Sequence, residues 1–311
     1  RTRDLGHGIL LAEETLTLAD DAPVSDPVMP LRVAVHAARE DAFIFRDVLD
    51  RIAAEGAPLP NPWPDEAREL FVDLLLMGHD MIRVVEALDQ VDLVTRLIPE
   101  WAPNRHRPQR NAYHRFTVDR HLLEAAAEAA RLVDRVERPD LLVLGGLFHD
   151  IGKGYPGDHS EVGVGLVHTI AERMGYPPAD IEILEALVRH HLLLPDVASR
   201  RDLEDEGTVK LVADAVPSTG TIELLAALTE ADSIATSKSA WNSWKAGLVN
   251  ELAQRTVRYL QGHTDLESDE FPTPELLALA ATGETHVSIV GQIVTVVAPD
   301  RPGVFLSLIH I

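Results

Sequence analysis

Residues 149–154 read His-Asp-Ile-Gly-Lys-Gly, and this stretch decides the expected fold because it follows an apolar run from Leu141 to Phe148. An apolar run of this kind is typical of a buried helix. An imidazole and a carboxylate buried at its end without partners would cost several kcal/mol. A bound metal ion removes that cost, so the stretch predicts a helix that ends on a metal site.

Other side chains able to bind a metal lie on both sides of this stretch. Imidazole nitrogen and carboxylate oxygen together suit Zn, Mn, Fe or Mg, and the set is larger than one ion needs. The set comprises His121, His149, Asp150, His159, His190, His191 and Asp232. A lone histidine elsewhere in the chain, such as His79, is more often an ordinary surface or core residue. The cluster predicts a two-metal phosphohydrolase site.

The expected division of the ligands starts from the adjacent pair His149 and Asp150. On a helix these two residues point about 100° apart, so they share one ion only if it lies over the helix end. We expect His121 and Asp232 to complete this first site, and the other three histidines of the set to hold a second ion. Asp150 is the expected bridge, because a carboxylate has two oxygens. Two such ions would activate a water molecule and neutralise the phosphate oxygens it attacks.

We expect a helix from Leu141 to Lys153. Lys153 follows His149 by four residues and Asp150 by three, so it lies on the same helical face as both. Its ammonium would neutralise a phosphate oxygen or the leaving group in the transition state. The ordinary alternative is a solvated lysine in the last turn of a helix. We expect Lys153 and Asp150 to be the catalytic residues.

Composition places the chain among globular proteins and excludes several functions. Hydrophobic residues make up 46% and charged residues 25% of the sequence, as in soluble domains. No apolar run reaches the roughly 18 residues of a membrane span, so no membrane partner is expected. A net charge of −22 argues against a nucleic-acid partner. The absence of cysteine excludes disulfides and thiolate metal sites and fits a reducing cytoplasm.

Arginines crowd into one short stretch before His121, against the overall acidity of the chain. They are Arg105, Arg107, Arg110, Arg115 and Arg120. A basic stretch of this kind is either a solvated loop or an anchor for an acidic or phosphorylated partner beside the site. The sequence leaves both alternatives open.

The chain divides by pattern into four segments and is expected to be mainly α. Residues 1–110 are read as a helical support region, with helical periodicity from about residue 31. Residues 111–262 are read as the all-helical domain that carries the ligands. Residues 263–285 are polar and proline-bearing, as in a linker. From residue 286 the pattern turns β-rich, which predicts the start of an α/β domain that is incomplete at residue 311.

The spread of His121, His149-Asp150 and Asp232 resembles the HD superfamily of metal-dependent phosphohydrolases, over roughly residues 111–261. The remaining histidines of the set resemble the extra ligands of its two-metal members. The resemblance implies that the ligand-bearing helical domain is an HD phosphohydrolase domain.

Longer segments resemble one family within it, the PII uridylyltransferases and uridylyl-removing enzymes. The segments are YHRFTVDRH (113–121), GDHSEVG (157–163), RHHLLL (189–194), ASRRDLED (198–205), EADSIATS (230–237) and WNSWKAGL (241–248). In that family a nucleotidyltransferase domain modifies a tyrosine of the PII nitrogen-signalling protein, an HD domain reverses the modification, and two ACT domains sense glutamine.

For this chain the resemblance implies hydrolysis of the nucleotidyl-tyrosine phosphodiester of PII, as uridylyl- or adenylyl-removing activity. It implies one or two divalent ions, Mg or Mn, and the nucleotidylated form of PII as partner. The Gly-Ser pair and spaced aspartates of the transferase do not occur, so residues 1–110 are expected to follow a missing transferase domain. Residues 291–305, with Asp-Arg-Pro-Gly at 300–303, resemble the opening of an ACT domain, through which glutamine would act in the full-length protein.

Two other functions fit part of the pattern. The first is an HD phosphohydrolase acting on a free nucleotide, including the alarmone hydrolases that also pair HD with ACT domains. Those enzymes usually carry two acids after the HD pair, where this chain has Gly152 and Lys153. The second is an HD domain kept as a non-catalytic regulatory module, against which the complete ligand set argues.

Overall fold

The structure is a computed structural model that describes residues 2–109, 115–216, 218–237, 239–263, 274–290 and 293–298. The chain forms two compact units, residues 1–262 and 263–311. Both the prediction of a mainly helical chain and that of a small sheet near its C-terminus are confirmed.

Helices form most of the first unit. The α-helices are α1 (Met29–Arg39), α2 (Arg46–Glu55), α3 (Asp65–Leu76), α4 (Asp80–Asp89), α5 (Leu93–Leu97), α6 (Val118–Ala130), α7 (Pro139–Phe148), α8 (His159–Arg173), α9 (Pro178–His190), α10 (Leu193–Arg200), α11 (Glu206–Ala215), α12 (Thr219–Thr236) and α13 (Ser243–Leu260). Short 3-10 helices span Pro99–Asn104, Val133–Arg135 and Ile151–Gly154.

Helix α7 is the centre of this unit. It begins with Pro139, whose fixed φ suits the first helical position, and all its residues from 141 to 148 are buried. It packs against α3, α6, α9 and α12, so it is apolar all round rather than amphipathic. Among the described residues no single helix is long and apolar enough to cross a membrane; α11 and α12 reach that hydropathy only together, across a 97° bend.

Four short strands correct the expectation that residues 1–110 are helical. The strands β1 (Thr2–Asp4), β2 (Ile9–Ala12), β3 (Thr15–Leu18) and β4 (Phe43–Ile44) form one sheet in that order, antiparallel except for the parallel pair β3–β4. Strands of two to four residues are too short for a periodic pattern to be recognised. Ile9 and Leu16 are fully buried, so packing on the helical core stabilises the sheet.

Glycines permit very close approach of the elements that carry the predicted ligands. A Cβ atom on Gly146 of α7 would lie 3.0 Å from the carbonyl oxygen of Ala125 in α6. A Cβ atom on Gly152, in the 3-10 turn after α7, would lie only 2.0 Å from the carbonyl oxygen of His159 at the start of α8. No larger residue fits either contact without a backbone shift, so these glycines hold α6, α7 and α8 together at the predicted site.

The second unit is described by itself. It contains α14 (Pro274–Ala281) and a hairpin of β5 (His286–Val290) and β6 (Ile293–Val297). Part of the predicted linker is therefore helical, because the sequence after Pro274 is rich in alanine and leucine, which favour helix. The proposed domain boundaries stay predictions. The segment 300–303 and residues 304–311 lie outside the described residues.

Replacing Gly152 by alanine tests the close approach of the turn to α8. We expect Gly152→Ala to lower the free energy of unfolding by about 1–3 kcal/mol, because the added methyl group forces the two backbones apart. Gly165→Ala is the matched control, since Gly165 lies on exposed α8 surface with nothing within 4 Å of an added Cβ; there alanine should stabilise the helix slightly. Urea unfolding followed by circular dichroism measures both, and equal stability of the two variants would contradict the expected clash.

Candidate metal centre

Helix ends bring most of the predicted ligands to one place. His121 lies in the first turn of α6, His149 caps the C-terminus of α7, His159 begins α8 and His191 follows α9. The N-terminal ends of α6 and α8 and the C-terminal ends of α7 and α9 therefore meet at this place. Helix α12 packs against α6, α7 and α9 and adds Asp232 from its side.

The first group comprises His121, His149 and Asp232. The Nε2 atoms of His121 and His149 are 3.3 Å apart, and Oδ1 of Asp232 lies 3.1 Å from the first and 3.4 Å from the second. Ligand atoms bound to one ion at about 2.1 Å lie roughly 3.0–3.5 Å from one another. The three atoms therefore have the spacing that a shared divalent ion requires.

The second group comprises Asp150, His159 and His191. Oδ1 of Asp150 is 3.5 Å from Nε2 of His159 and 3.6 Å from Nε2 of His191. The other oxygen, Oδ2, lies 3.3 Å from Nε2 of His149 in the first group. Oδ1 is buried and accepts no hydrogen bond from the described residues, which is costly unless something else binds it. A divalent ion fits these donors, and Asp150 faces both groups with one oxygen each.

Backbone carbonyls orient two of the imidazole rings. Nδ1 of His149 donates to the carbonyl oxygen of Gly146 at 2.9 Å, and Nδ1 of His191 donates to that of Val188 at 2.7 Å. Such bonds fix the ring and direct Nε2 at a metal in many protein sites. Each carbonyl belongs to the helix that the histidine ends, so the orientation is built into the helix terminus.

His190 is not brought to the metal centre, and the expectation that it is a ligand is corrected. Consecutive helical residues point about 100° apart, and at the end of α9 it is His191 that faces Asp150. The ring of His190 is half-buried elsewhere, where burial and then the neighbouring Arg189 lower its pKa. Only one member of the pair is able to face the cluster.

Opposite charges compensate one another in this cluster. Burial by itself lowers the pKa of His149, but the carboxylates of Asp150 and Asp232 outweigh burial and raise it to about 10. Burial likewise raises the pKa of each carboxyl, yet His149, together with Lys153 beside Asp150 and the hydrogen bond of His121 to Asp232, holds both pKa values well below their usual range. A proton on His149 therefore supplies part of the positive charge that the two carboxylates require.

Lys153 contacts the centre from the 3-10 turn. Helix α7 ends at Phe148, so the expected continuous helix through residue 153 is wrong. Lys153 nevertheless lies close to Asp150, with its Nζ 2.5 Å from Oδ2 of that residue. The reason is that side chains three residues apart eclipse one another in a 3-10 helix. Nζ also donates to Oε1 of Gln109 at 3.0 Å. Sequence reasoning missed Gln109, since one polar residue in a loop carries no motif.

The arginine-rich stretch is partly neutralised. Nε of Arg105 lies 3.0 Å from a carboxylate oxygen of Asp89. Nη1 of Arg120 lies 2.7 Å from one of Glu86. Arg110 lies outside the described residues. Arg105 therefore ties its loop to the end of α4 and Arg120 joins α6 to α4. For these two residues the structure favours a structural role rather than an anchor for an acidic partner.

Comparisons with known proteins identify relatives of this chain. Residues 118–235 match the HD domain family. The chain is 48% identical over 281 residues to the bifunctional uridylyltransferase/uridylyl-removing enzyme of Streptomyces coelicolor, a match that covers 90% of this chain and 33% of that enzyme. It is 43% identical over 310 residues to the enzyme of the same name from Mycobacterium tuberculosis, covering 97% of this chain and 38% of that enzyme. The chain thus spans between about a third and two fifths of the length of these relatives.

Proton release tests whether a metal replaces the proton on His149. With a pKa of about 10 this imidazole is protonated in the metal-free protein near neutral pH, whereas a metal binds only its neutral form. Titration with Mn²⁺ at about pH 8 should therefore release roughly one proton per bound protein, and affinity should rise with pH up to about 10. Calorimetry in two buffers of different ionisation heat measures the release. His168→Gln is the control, because His168 is a partly exposed histidine paired with Glu185, and it should leave the number of released protons unchanged. A heat of binding that does not depend on the buffer in the unmodified protein would contradict displacement of a proton from His149.

Proposed function

The chain is an HD-domain homologue of the bifunctional uridylyltransferase/uridylyl-removing enzymes, and from this premise we propose that it hydrolyses the nucleotidyl-tyrosine phosphodiester of the PII signalling protein. Uridylyl removal is the second of the two activities in the relatives' name; for this chain the removed nucleotide would be UMP or AMP. The HD domain is the proposed site of that half, because it is the part of the chain with a phosphohydrolase ligand set.

One observation carries the proposal: two ligand groups share the carboxylate of Asp150. The first would hold one divalent ion through His121, His149 and Asp232, and the second another through His159 and His191. Two such ions, Mg or Mn, would supply an activated water and neutralise phosphate oxygens during attack.

The exposed side of the cluster indicates where the phosphodiester enters. The side chains of His149 and His191 are 0% and 2% exposed, whereas those of His159, Lys153 and Asp232 are 31%, 24% and 21% exposed. A substrate therefore reaches the centre past these three residues. The ammonium of Lys153 would meet the phosphate or the departing tyrosine oxygen, where negative charge develops in the transition state.

Nucleotide release from modified PII tests the proposal. The purified chain is incubated with uridylylated PII, adenylylated PII, and free nucleotides including alarmones, each with Mn²⁺ or Mg²⁺, and products are identified by mass spectrometry. The proposal expects metal-dependent UMP or AMP release from PII that is lost in Asp150→Asn. Hydrolysis of free nucleotides alone would establish the free-nucleotide alternative instead, and no hydrolysis by metal-loaded protein would favour a regulatory module.

Loss of Lys153 tests its catalytic role separately from metal binding. We expect Lys153→Ala to lower turnover by roughly 10² or more, as for removal of one preorganised donor, with metal content unchanged. Metal content is measured by mass spectrometry of the dialysed protein. Lys210→Ala is the control, since Lys210 pairs with Asp214 on exposed surface. Full activity of Lys153→Ala would assign Lys153 to the surface.

A further inference from the structure

The loop of residues 104–109 is tied to the 3-10 turn that carries Lys153. Three hydrogen bonds join them: Asn104 Nδ2 to the carbonyl oxygen of Ile151 at 2.9 Å, Arg107 Nη1 to that of Gly154 at 3.1 Å, and Lys153 Nζ to Gln109 Oε1 at 3.0 Å. The first two bonds bind the turn's backbone. The third bond joins the side-chain ammonium of Lys153 to the loop.

The same loop is anchored to α6, the helix that bears His121. The backbone nitrogen of Val118 donates to the carbonyl oxygen of Arg107 at 2.8 Å. The backbone nitrogen of His106 donates to Oδ2 of Asp119 at 2.7 Å. Gln109 is therefore held relative to a ligand helix on one side and to the lysine turn on the other.

The contacts of the Lys153 ammonium leave one of its donors for a substrate. An ammonium has three N–H donors; one faces Oδ2 of Asp150 and a second faces Oε1 of Gln109. The amide oxygen of Gln109 fixes the direction of the ammonium and adds no second negative charge beside that of Asp150.

We propose that Gln109 is a positioning residue, which aims the Lys153 ammonium at the phosphodiester and, being neutral, adds no second carboxylate to the one that Asp150 already places beside it. The inference rests on the proposed hydrolytic function. A lysine side chain has four rotatable carbon bonds, so an ammonium without this acceptor would sample other positions, and preorganised charge is what stabilises a transition state.

Two substitutions separate positioning from packing. Gln109→Met keeps the length of the side chain and removes the acceptor, whereas Gln109→Glu keeps the shape and adds a negative charge. Both should lower kcat about tenfold or more, with KM and metal content nearly unchanged, because the affected interaction acts in the transition state. Gln254→Met, at an exposed glutamine of α13, should leave kcat unchanged. The assay uses Mn²⁺-loaded full chain with uridylylated PII and with thymidine 5′-p-nitrophenyl phosphate.

A packing role predicts a different result. In that case Gln109→Glu, which has the same shape, retains the kcat of the unmodified protein, and this outcome would overturn the proposal. A fall in kcat for Gln109→Glu together with unchanged metal content supports it.

A spectroscopic measurement tests the contact without any activity. The chain has four lysines, so NMR of protein labelled at lysine Nζ yields few signals, and Lys153→Arg assigns the relevant one. An ammonium held by two acceptors exchanges its protons slowly with water. We expect the Lys153 signal to be lost by fast exchange in Gln109→Met and kept in Gln109→Glu; an unchanged signal in Gln109→Met would sink the inference. An inactive unmodified protein would instead count against the proposed function, and the NMR result would still decide the contact.

Discussion

Compensation of negative charge beside His149 is the constraint on which the rest of the structure depends. Asp150 is buried in the helical unit and Asp232 reaches the same point from α12. Buried carboxylates are tolerated only with cations or metals beside them. The histidines and Lys153 are such partners and a divalent ion would be another, which explains why each element around the centre contributes a charged or metal-binding side chain.

The compensation also links metal binding to stability. A protonated imidazole such as that of His149 must lose its proton before it binds a metal, so metal binding is coupled to the titration of His149. An ion that binds the folded chain and not the unfolded one stabilises the fold by mass action. The close contacts at Gly146 and Gly152 determine how nearly the ligand-bearing helices approach. A substitution that moves these backbones apart would therefore also change the distances between the metal-binding side chains.

The electrostatics of the site differ from those of the chain as a whole. A net charge of −22 repels a phosphodiester at long range, so attraction has to come from local cations at short range. Lys153 lies on the exposed side of the centre, paired with Asp150, and Gln109 holds it without adding a second carboxylate.

The sequence by itself determined the residue types of the centre, the helical character of the domain and the resemblance to HD phosphohydrolases, because these depend on local pattern and on chemistry. It predicted the grouping around Asp150 from the two oxygens of a carboxylate, and the structure places those atoms at metal-ligand spacing. It did not distinguish His191 from His190, since the direction of a helix end depends on how α9 packs. It also missed the short N-terminal strands and α14, whose patterns are weak or resemble those of a linker. Only the tertiary structure decided the contact of Gln109 with Lys153, because the two residues are 44 positions apart and nothing local records which loop will pack against which turn.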